Sequence, residues 1–284
     1  MKPTSIPFTK LHGLGNDFVL IDLREQKLSL TSSTIRAIAD RKRGVGFDQL
    51  LVLKRSSRVH AELEIFNADA SLAEMCGNGL RAAAFYLWTQ GKLRSHETLT
   101  LETAAGDRQS RAVKKIHPND TEAEIECEMG VPKIKTIPRL LKRGIKLGTK
   151  THHPVLVDVG NPHAVFFTWP KNQAQLEQWG SLVENHRAFP KRTNVEFVRA
   201  VSPRAIEVQV WERGVGITEA CGTGAVAATC ATLSQGKGVG PMEVRFTGGR
   251  ASVRWEGAQQ AAFLQGYAAR VFCGEWLLTN PHEH

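Results

Sequence analysis

The sequence predicts an α/β chain of the α+β type, organised as two similar halves, each a mixed β-sheet around one apolar helix. Three observations carry that expectation. Short stretches alternate apolar and polar residues: Ala61, Leu63 and Ile65 stand between His60, Glu62 and Glu64, and Ala123, Ile125, Cys127 and Met129 between Glu122, Glu124, Glu126 and Glu128. That is the period of a half-buried strand. Two Ala-rich stretches, 79–88 and 224–233, are too apolar for surface helices and read as helices wrapped by sheet. The third observation is an internal repeat. Cys76-Gly77-Asn78-Gly79 returns at an offset of 145 as Cys221-Gly222-Thr223-Gly224, each preceded at two residues by a Glu (Glu74, Glu219) and each leading into an Ala-rich helix.

In chain order, Gly15-Asn16 lies at the same offset from Gly160-Asn161, Gln49 from Asn194, and the strand end Ile65-Phe66-Asn67 from Val210-Trp211-Glu212. Residues 32–40 form an amphipathic pattern headed by Ser and Thr, which cap helices well. The stretch 130–151 carries Lys133, Lys135, Arg139, Lys142, Arg143, Lys146 and Lys150 without interleaved aromatics, so it reads as a solvated connection. Coupled landmarks at one unbroken offset imply equivalent positions in two folded halves. A pseudo-twofold arrangement would bring Cys76 and Cys221 into one cleft from opposite sides.

The 284 residues suffice for two compact domains, and 42% hydrophobic with 23% charged residues excludes disorder. Lys and Arg number 37 against 28 Asp and Glu, a net charge of +9, yet no nucleic-acid motif accompanies it. Five cysteines, an odd number without framework spacing, point to a reducing compartment, and no metal-ligand spacing occurs among them or the ten histidines. No stretch reaches 18 consecutive apolar residues, and residues 1–21 lack a signal-peptide core. The expectation is a cytoplasmic protein with no metal, no nucleic-acid partner and no membrane association.

Cys-Gly-x-Gly at the head of a helix has definite chemistry. The first backbone N–H groups of a helix lack intrahelical partners and carry the positive end of the dipole, so they bind an anion and favour a thiolate. Two such loops facing each other could hold one carboxylate with a thiol on either side. That arrangement suits inversion at an amino-acid α-carbon, where one group removes the α-proton and another delivers a proton to the opposite face. Several N–H donors aimed at the developing charge supply more than either acid–base group alone, and no lysine context marks a pyridoxal phosphate site. No cofactor is expected. Cys127, Cys230 and Cys273 lack the glycine context and read as small buried hydrophobes.

The stretches 10–18, Gly46-Phe47-Asp48-Gln49, Phe66-Asn67-Ala68-Asp69, Glu74 to Gly79, Gly160-Asn161-Pro162-His163, Thr193-Asn194-Val195-Glu196, 212–216 and Ala220 to Gly224 resemble the diaminopimelate epimerase family. The family interconverts LL- and meso-2,6-diaminopimelate, in lysine and peptidoglycan precursor biosynthesis, without a cofactor. The resemblance implies that Cys76 and Cys221 are the acid–base thiols and that His163 and Glu212 influence their protonation. It places substrate on Asn16, Gln49, Asn67, Gly77, Asn78, Asn161, Asn194, Glu212, Arg213, Gly222 and Thr223. It also implies curved sheets, a site in the interdomain cleft, a homodimer, and a C-terminal strand near 270–278 that returns to the first domain. The boundaries expected are 1–120 plus 268–284 for one domain and 121–267 for the other. Ala70 stands where the family usually has Gly, and Leu72 where a polar residue is common, so a departure in conformation would fall in the loop from Asn67 to Cys76.

Two other functions are weighed. A proline or hydroxyproline racemase on the same scaffold would need a mostly apolar pocket, whereas Arg213 and four asparagines suit a second amino-acid head. A basic-surface nucleic-acid-binding protein predicts salt-sensitive polynucleotide affinity and indifference to replacing either cysteine. Asp17, Asp48 and Asp69 read as turn-holding residues.

Overall fold

The computed structural model describes residues 5–73, 76–91, 93–94 and 96–278. Glu74 and Met75, named in the repeat and its motif, lie outside the described residues, as do positions 279–284 of the expected first domain. The chain divides into two compact units, Met1–Ile125 with Tyr267–His284, and Glu126–Gly266.

The first unit contains β1 (Ser5–Gly13), β2 (Asn16–Asp22), α1 (Ser32–Ala39), β3 (Gln49–Lys54), β4 (Ala61–Asn67), α2 (Gly77–Thr89), β5 (Leu99–Thr103) and β6 (Gly106–Ala112). Successive strand pairs from β1 to β6 run antiparallel, parallel, antiparallel, parallel, antiparallel. Helix α2 touches β1, β2, β3, β4 and β6, so the sheet curves around it. Its residues are buried on nearly every side, which small alanines permit by letting strands approach closely. Thr31 caps α1 by accepting from the Thr34 N–H at 3.1 Å, and Ile35, Ile38 and Ala39 face a core that includes Ile6, Val19, Ile21 and Val52.

The second unit contains β8 (Lys133–Lys135), a 3-10 turn, β9 (Ile145–Leu147), β10 (Lys150–His152), β11 (Val155–Asp158), β12 (Pro162–Phe166), α3 (Gln173–Glu184), β13 (Asn194–Ser202), β14 (Ala205–Glu212), β15 (Gly216–Thr218), α4 (Gly222–Ser234), β16 (Met242–Phe246) and β17 (Gly249–Arg254). From β11 through β12, β13, β14 and β16 to β17 the pairing senses repeat those of the first unit. Helix α4 touches each of those six strands. β7 (Glu122–Glu128) and β18 (Phe263–Leu277) each span a division between the units. The later part of β18 pairs with β1 from Ser5↔Leu277 to His12↔Ala269, and its start pairs with β17.

The repeat is visible in the register. Phe18 pairs with Gln49 and Leu50 with Phe66 in the first unit; His163 pairs with Asn194 and Val195 with Trp211 in the second. Both apolar helices are a turn-fraction longer than their sequence pattern, because each begins directly after its cysteine. Sequence patterning passes over α3, whose Leu176, Trp179 and Val183 are buried, because its apolar positions are few. The stretch 130–151 is not mere connection: Leu141, Ile145 and Leu147 are buried in the second unit's core while the lysines stay exposed.

The loop after Asn67 keeps the repeat's geometry. Phe66 bridges Leu72 as Trp211 pairs with Ile217, and the Ala70 N–H donates to the Asn67 carbonyl as the Val215 N–H donates to that of Glu212. Ala70 adopts φ of 70°, the left-handed region that a glycine occupies without strain.

Candidate active site

Each apolar helix is capped by a cysteine. Cys76 has extended backbone (φ −141°, ψ 108°) and its Sγ accepts from the Gly79 N–H at 3.3 Å; Cys221 (φ −133°, ψ 119°) accepts from the Gly224 N–H at 3.4 Å. Sulfur thus takes the place of the Ser or Asp oxygen usual at a helix N-cap. Space is tight at both helix heads. A Cβ on Gly79 would meet Leu51 Cδ2 at 2.9 Å, and one on Gly224 would meet Glu196 Oε1 at 3.0 Å and Cys221 Cβ at 3.1 Å.

In the first unit the polar side chains gather at strand ends beside the helix head. Asn16, opening β2 after a Gly15 at φ 87°, accepts on Oδ1 from Asn78 Nδ2 at 2.7 Å. Gln49, opening β3, donates from Nε2 to Asn67 Oδ1 at 3.1 Å, and Asn67 donates to Ser71 Oγ at 3.0 Å. Behind Asn78, the fully buried Arg81 donates to Asn78 Oδ1 one helical turn on. Outside them, Asp17 and Asp48 exchange backbone-to-carboxylate hydrogen bonds at 3.1 Å each and share the Arg41 guanidinium, while Lys10 pairs with Asp17. The two aspartates therefore do more than hold turns: they lock the residues flanking Asn16 and Gln49.

The second unit repeats the plan with different groups. Asn161, after a Gly160 at φ 94°, donates from Nδ2 to Thr223 Oγ1 at 3.3 Å, the counterpart of the Asn16 and Asn78 pair. Thr223 Oγ1 lies 3.5 Å from Cys221 Sγ. Asn194 donates to the Pro162 carbonyl at 2.9 Å and accepts from the Arg213 backbone N–H at 2.9 Å. Glu212 accepts from Thr218 Oγ1 at 2.6 Å and is hydrogen-bonded to the Cys221 thiol. His163 and Glu196, both fully buried, meet at 2.6 Å through Nδ1 and Oε1, and His163 Nε2 lies 2.9 Å from Asn161 Oδ1.

Electrostatics differ from the expectation for an exposed helix cap. Burial, followed by the charges of Glu212 and Glu196, pushes the Cys221 thiol well above its ordinary range, and the bonds from Thr223 and the Gly224 N–H only partly offset this. Burial also raises the Glu212 and Glu196 carboxyls, with Thr218 and Cys221 opposing at Glu212 and His163 opposing at Glu196.

The sequence-derived residues thus form two clusters. Asn16, Gln49, Asn67, Cys76, Gly77 and Asn78 belong to the first unit; Asn161, His163, Asn194, Glu212, Arg213, Cys221, Gly222 and Thr223 to the second. Sequence reasoning missed Glu196, Thr218, Arg81 and Glu184. Glu184 accepts from Trp211 Nε1 at 2.7 Å and the Gly214 N–H at 2.8 Å, which holds the loop bearing Arg213. A charged residue inside an apolar run, as at Glu196 in β13 and Arg81 in α2, was the available signal for two of them.

The family model described as diaminopimelate epimerase matches residues 8–135 and 155–271. Curated diaminopimelate epimerases are similar over nearly their whole length: that of Desulforudis audaxviator is 38% identical, covering 95% of this chain and 99% of the relative. That of Methanococcus maripaludis is 34% identical, covering 94% and 98%. Among solved structures, a hydroxyproline epimerase from Agrobacterium vitis with bound trans-4-hydroxy-L-proline superposes with a TM-score of 0.73 at 16% identity, covering 99% of this chain and 94% of that one. A Bacillus anthracis phenazine biosynthesis protein of the PhzF family gives 0.72 at 17% identity, covering 97% and 100%. These two share the fold.

Proposed function

Since the chain belongs to the diaminopimelate epimerase family, whose members are isomerases, we propose that it interconverts LL- and meso-2,6-diaminopimelate by a two-base thiol mechanism. The observation that carries this reading is the pair of cysteines capping equivalent helices with nearly equal thiol geometry. Each helix head, Gly77-Asn78 in one unit and Gly222-Thr223 in the other, presents N–H groups suited to a substrate carboxylate. One cysteine, as thiolate, takes the α-proton; the other, as thiol, donates a proton to the opposite face, and their roles exchange in the reverse direction. Losing one donor to the developing charge typically costs about 2.7–4 kcal/mol, so the two helix heads contribute as much as the proton transfers.

Glu212 and His163 tune the thiols, Arg213 grips a carboxylate, and Asn16, Gln49, Asn67, Asn161 and Asn194 hold the amino-acid heads. The raised Cys221 thiol fits the proton-donor role in the ligand-free protein. The product serves lysine and peptidoglycan precursor synthesis in a reducing cytoplasm, in keeping with five cysteines outside any disulfide. No helix among the described residues is long and apolar enough to cross a membrane. The reading includes a homodimer, supported by exposed apolar side chains on β18, Tyr267, Val271, Phe272 and Leu277.

The test is turnover of LL-diaminopimelate in D2O, with L-proline assayed in parallel. Deuterium should enter the inverted α-carbon. Cys76→Ala or Cys221→Ala should abolish inversion while Cys127→Ala leaves it largely intact. Inversion of proline alone, or undiminished inversion without either thiol, would refute the proposal.

A further inference from the structure

Glu196 occupies a strand position where the frame does not require a carboxyl. The equivalent positions of the first unit, at the same offset and the same sheet register, hold Phe18 in place of His163 and Leu51 in place of Glu196. Phe18 and Leu51 are fully buried, so hydrocarbon alone satisfies this packing. A buried acid and imidazole give up hydration that hydrocarbon never had, and such pairs seldom add stability over an apolar substitute. Their presence beside Cys221 calls for a function.

The hydrogen-bond partners assign the hydrogens. Nε2 of His163 faces Asn161 Oδ1, an acceptor, so Nε2 carries a hydrogen. Nδ1 faces Glu196 Oε1 at 2.6 Å, which requires a second hydrogen between them. Glu196 Oε2 has no hydrogen-bond partner among the described residues, a tolerable state for a neutral carboxyl and a costly one for a buried carboxylate. The groups facing Glu196 are His163 on β12, Glu212 at the end of β14 and Cys221 at the head of α4. A second buried negative charge there would oppose ionisation of Cys221 directly.

We propose that Glu196 is a positioning residue for the reaction: with His163 it forms an electrically neutral dyad that fixes Nε2–H as the donor to Asn161. Asn161, so oriented, directs its amide to Thr223 beside Cys221. The dyad spares Cys221 an uncompensated carboxylate and holds one substrate-facing amide in a single orientation. The inference rests on the epimerase reading for its kinetic arm only.

The experiment combines imidazole nitrogen NMR of uniformly labelled protein, with His163 assigned by its loss in His163→Gln, and kinetics of two variants. In the wild type, Nε2 of His163 should show a directly bonded hydrogen near neutral pH. Glu196→Gln, which still donates to Nδ1, should keep that signal and a kcat within about threefold. Glu196→Leu, which copies the side chain of the other half, should fold, lose the fixed tautomer and drop kcat about tenfold or more with KM within twofold. A bare Nε2 in the wild type, or an unimpaired kcat in Glu196→Leu, overturns the proposal. Should Glu196→Leu fail to fold, the wild-type tautomer alone decides. A wild type that shows the tautomer without epimerising diaminopimelate refutes the epimerase reading and leaves the dyad standing.

Discussion

Cys221 sits where a helix head, which favours a thiolate, meets burial and the Glu212 carboxyl, which oppose it, and the opposing side wins. Alkylation of Cys221 in a Cys76→Ala background should therefore be slow near pH 7 and still be rising beyond the ordinary thiol range, and Glu212→Gln should accelerate it near neutral pH by removing the carboxyl that most opposes the thiolate. Labelling already maximal at pH 7, followed by mass spectrometry, would contradict this. Asp17 behaves oppositely. Burial alone would raise its carboxyl, but the hydrogen bonds and charges of Arg41 and Lys10 outweigh it and hold the group at about 2. Its contribution, on the order of 1–2 kcal/mol after solvent screening, is present above about pH 4 and lost as pH falls toward 2. Urea unfolding at pH 6 should show Asp17→Asn destabilised by that amount, with the difference from wild type shrinking at pH 3. At Ala70, relief of the left-handed backbone should make Ala70→Gly more stable by about 0.5–1 kcal/mol, a rise of roughly 2 °C in Tm by calorimetry.

At the scale of elements, the two helix heads invite parallel substitutions with different outcomes. Gly224→Ala presses on Glu196 and on Cys221 itself, so kcat should fall about tenfold or more with a modest change in Tm. Gly79→Ala presses chiefly on the end of Leu51 and should cost about 1–3 kcal/mol of stability, read by denaturant unfolding. The helices and their caps were legible because glycine spacing, alanine content and a fixed offset are local signals. The Asn16 with Asn78 and Asn161 with Thr223 pairs were legible only as residues, since their partners are 62 positions away in sequence. Glu196 stood out as a charge in an apolar run, but its role did not: β13 buries Val195, Glu196 and Phe197 in succession, so alternation does not say which residue faces a functional group. The elevation of Cys221 was illegible because it depends on burial of the thiol and on the Glu212 carboxyl at the end of β14, which no local motif encodes.

At the scale of the molecule, the repeat predicted two units, but not that β7 and β18 would each belong to both. A chain ending at Gly266 lacks the strand that pairs with β1 along its length, so its first unit should lose protection from proteolysis while the full chain stays resistant. The duplicated frame also carries two unlike supports for its polar landmarks. The first unit uses Lys10, Asp17, Arg41 and Asp48, with the Arg41 side chain 58% exposed; at the same offset the second has Val155, Pro162, His186 and Thr193. The second unit relies instead on the sealed His163 and Glu196 contact. Counterions and protons reach the first arrangement and not the second. Rising salt or falling pH should therefore loosen Asn16 and Gln49 while Asn161 stays fixed, leaving one chain with a half that responds to its medium and a half insulated from it.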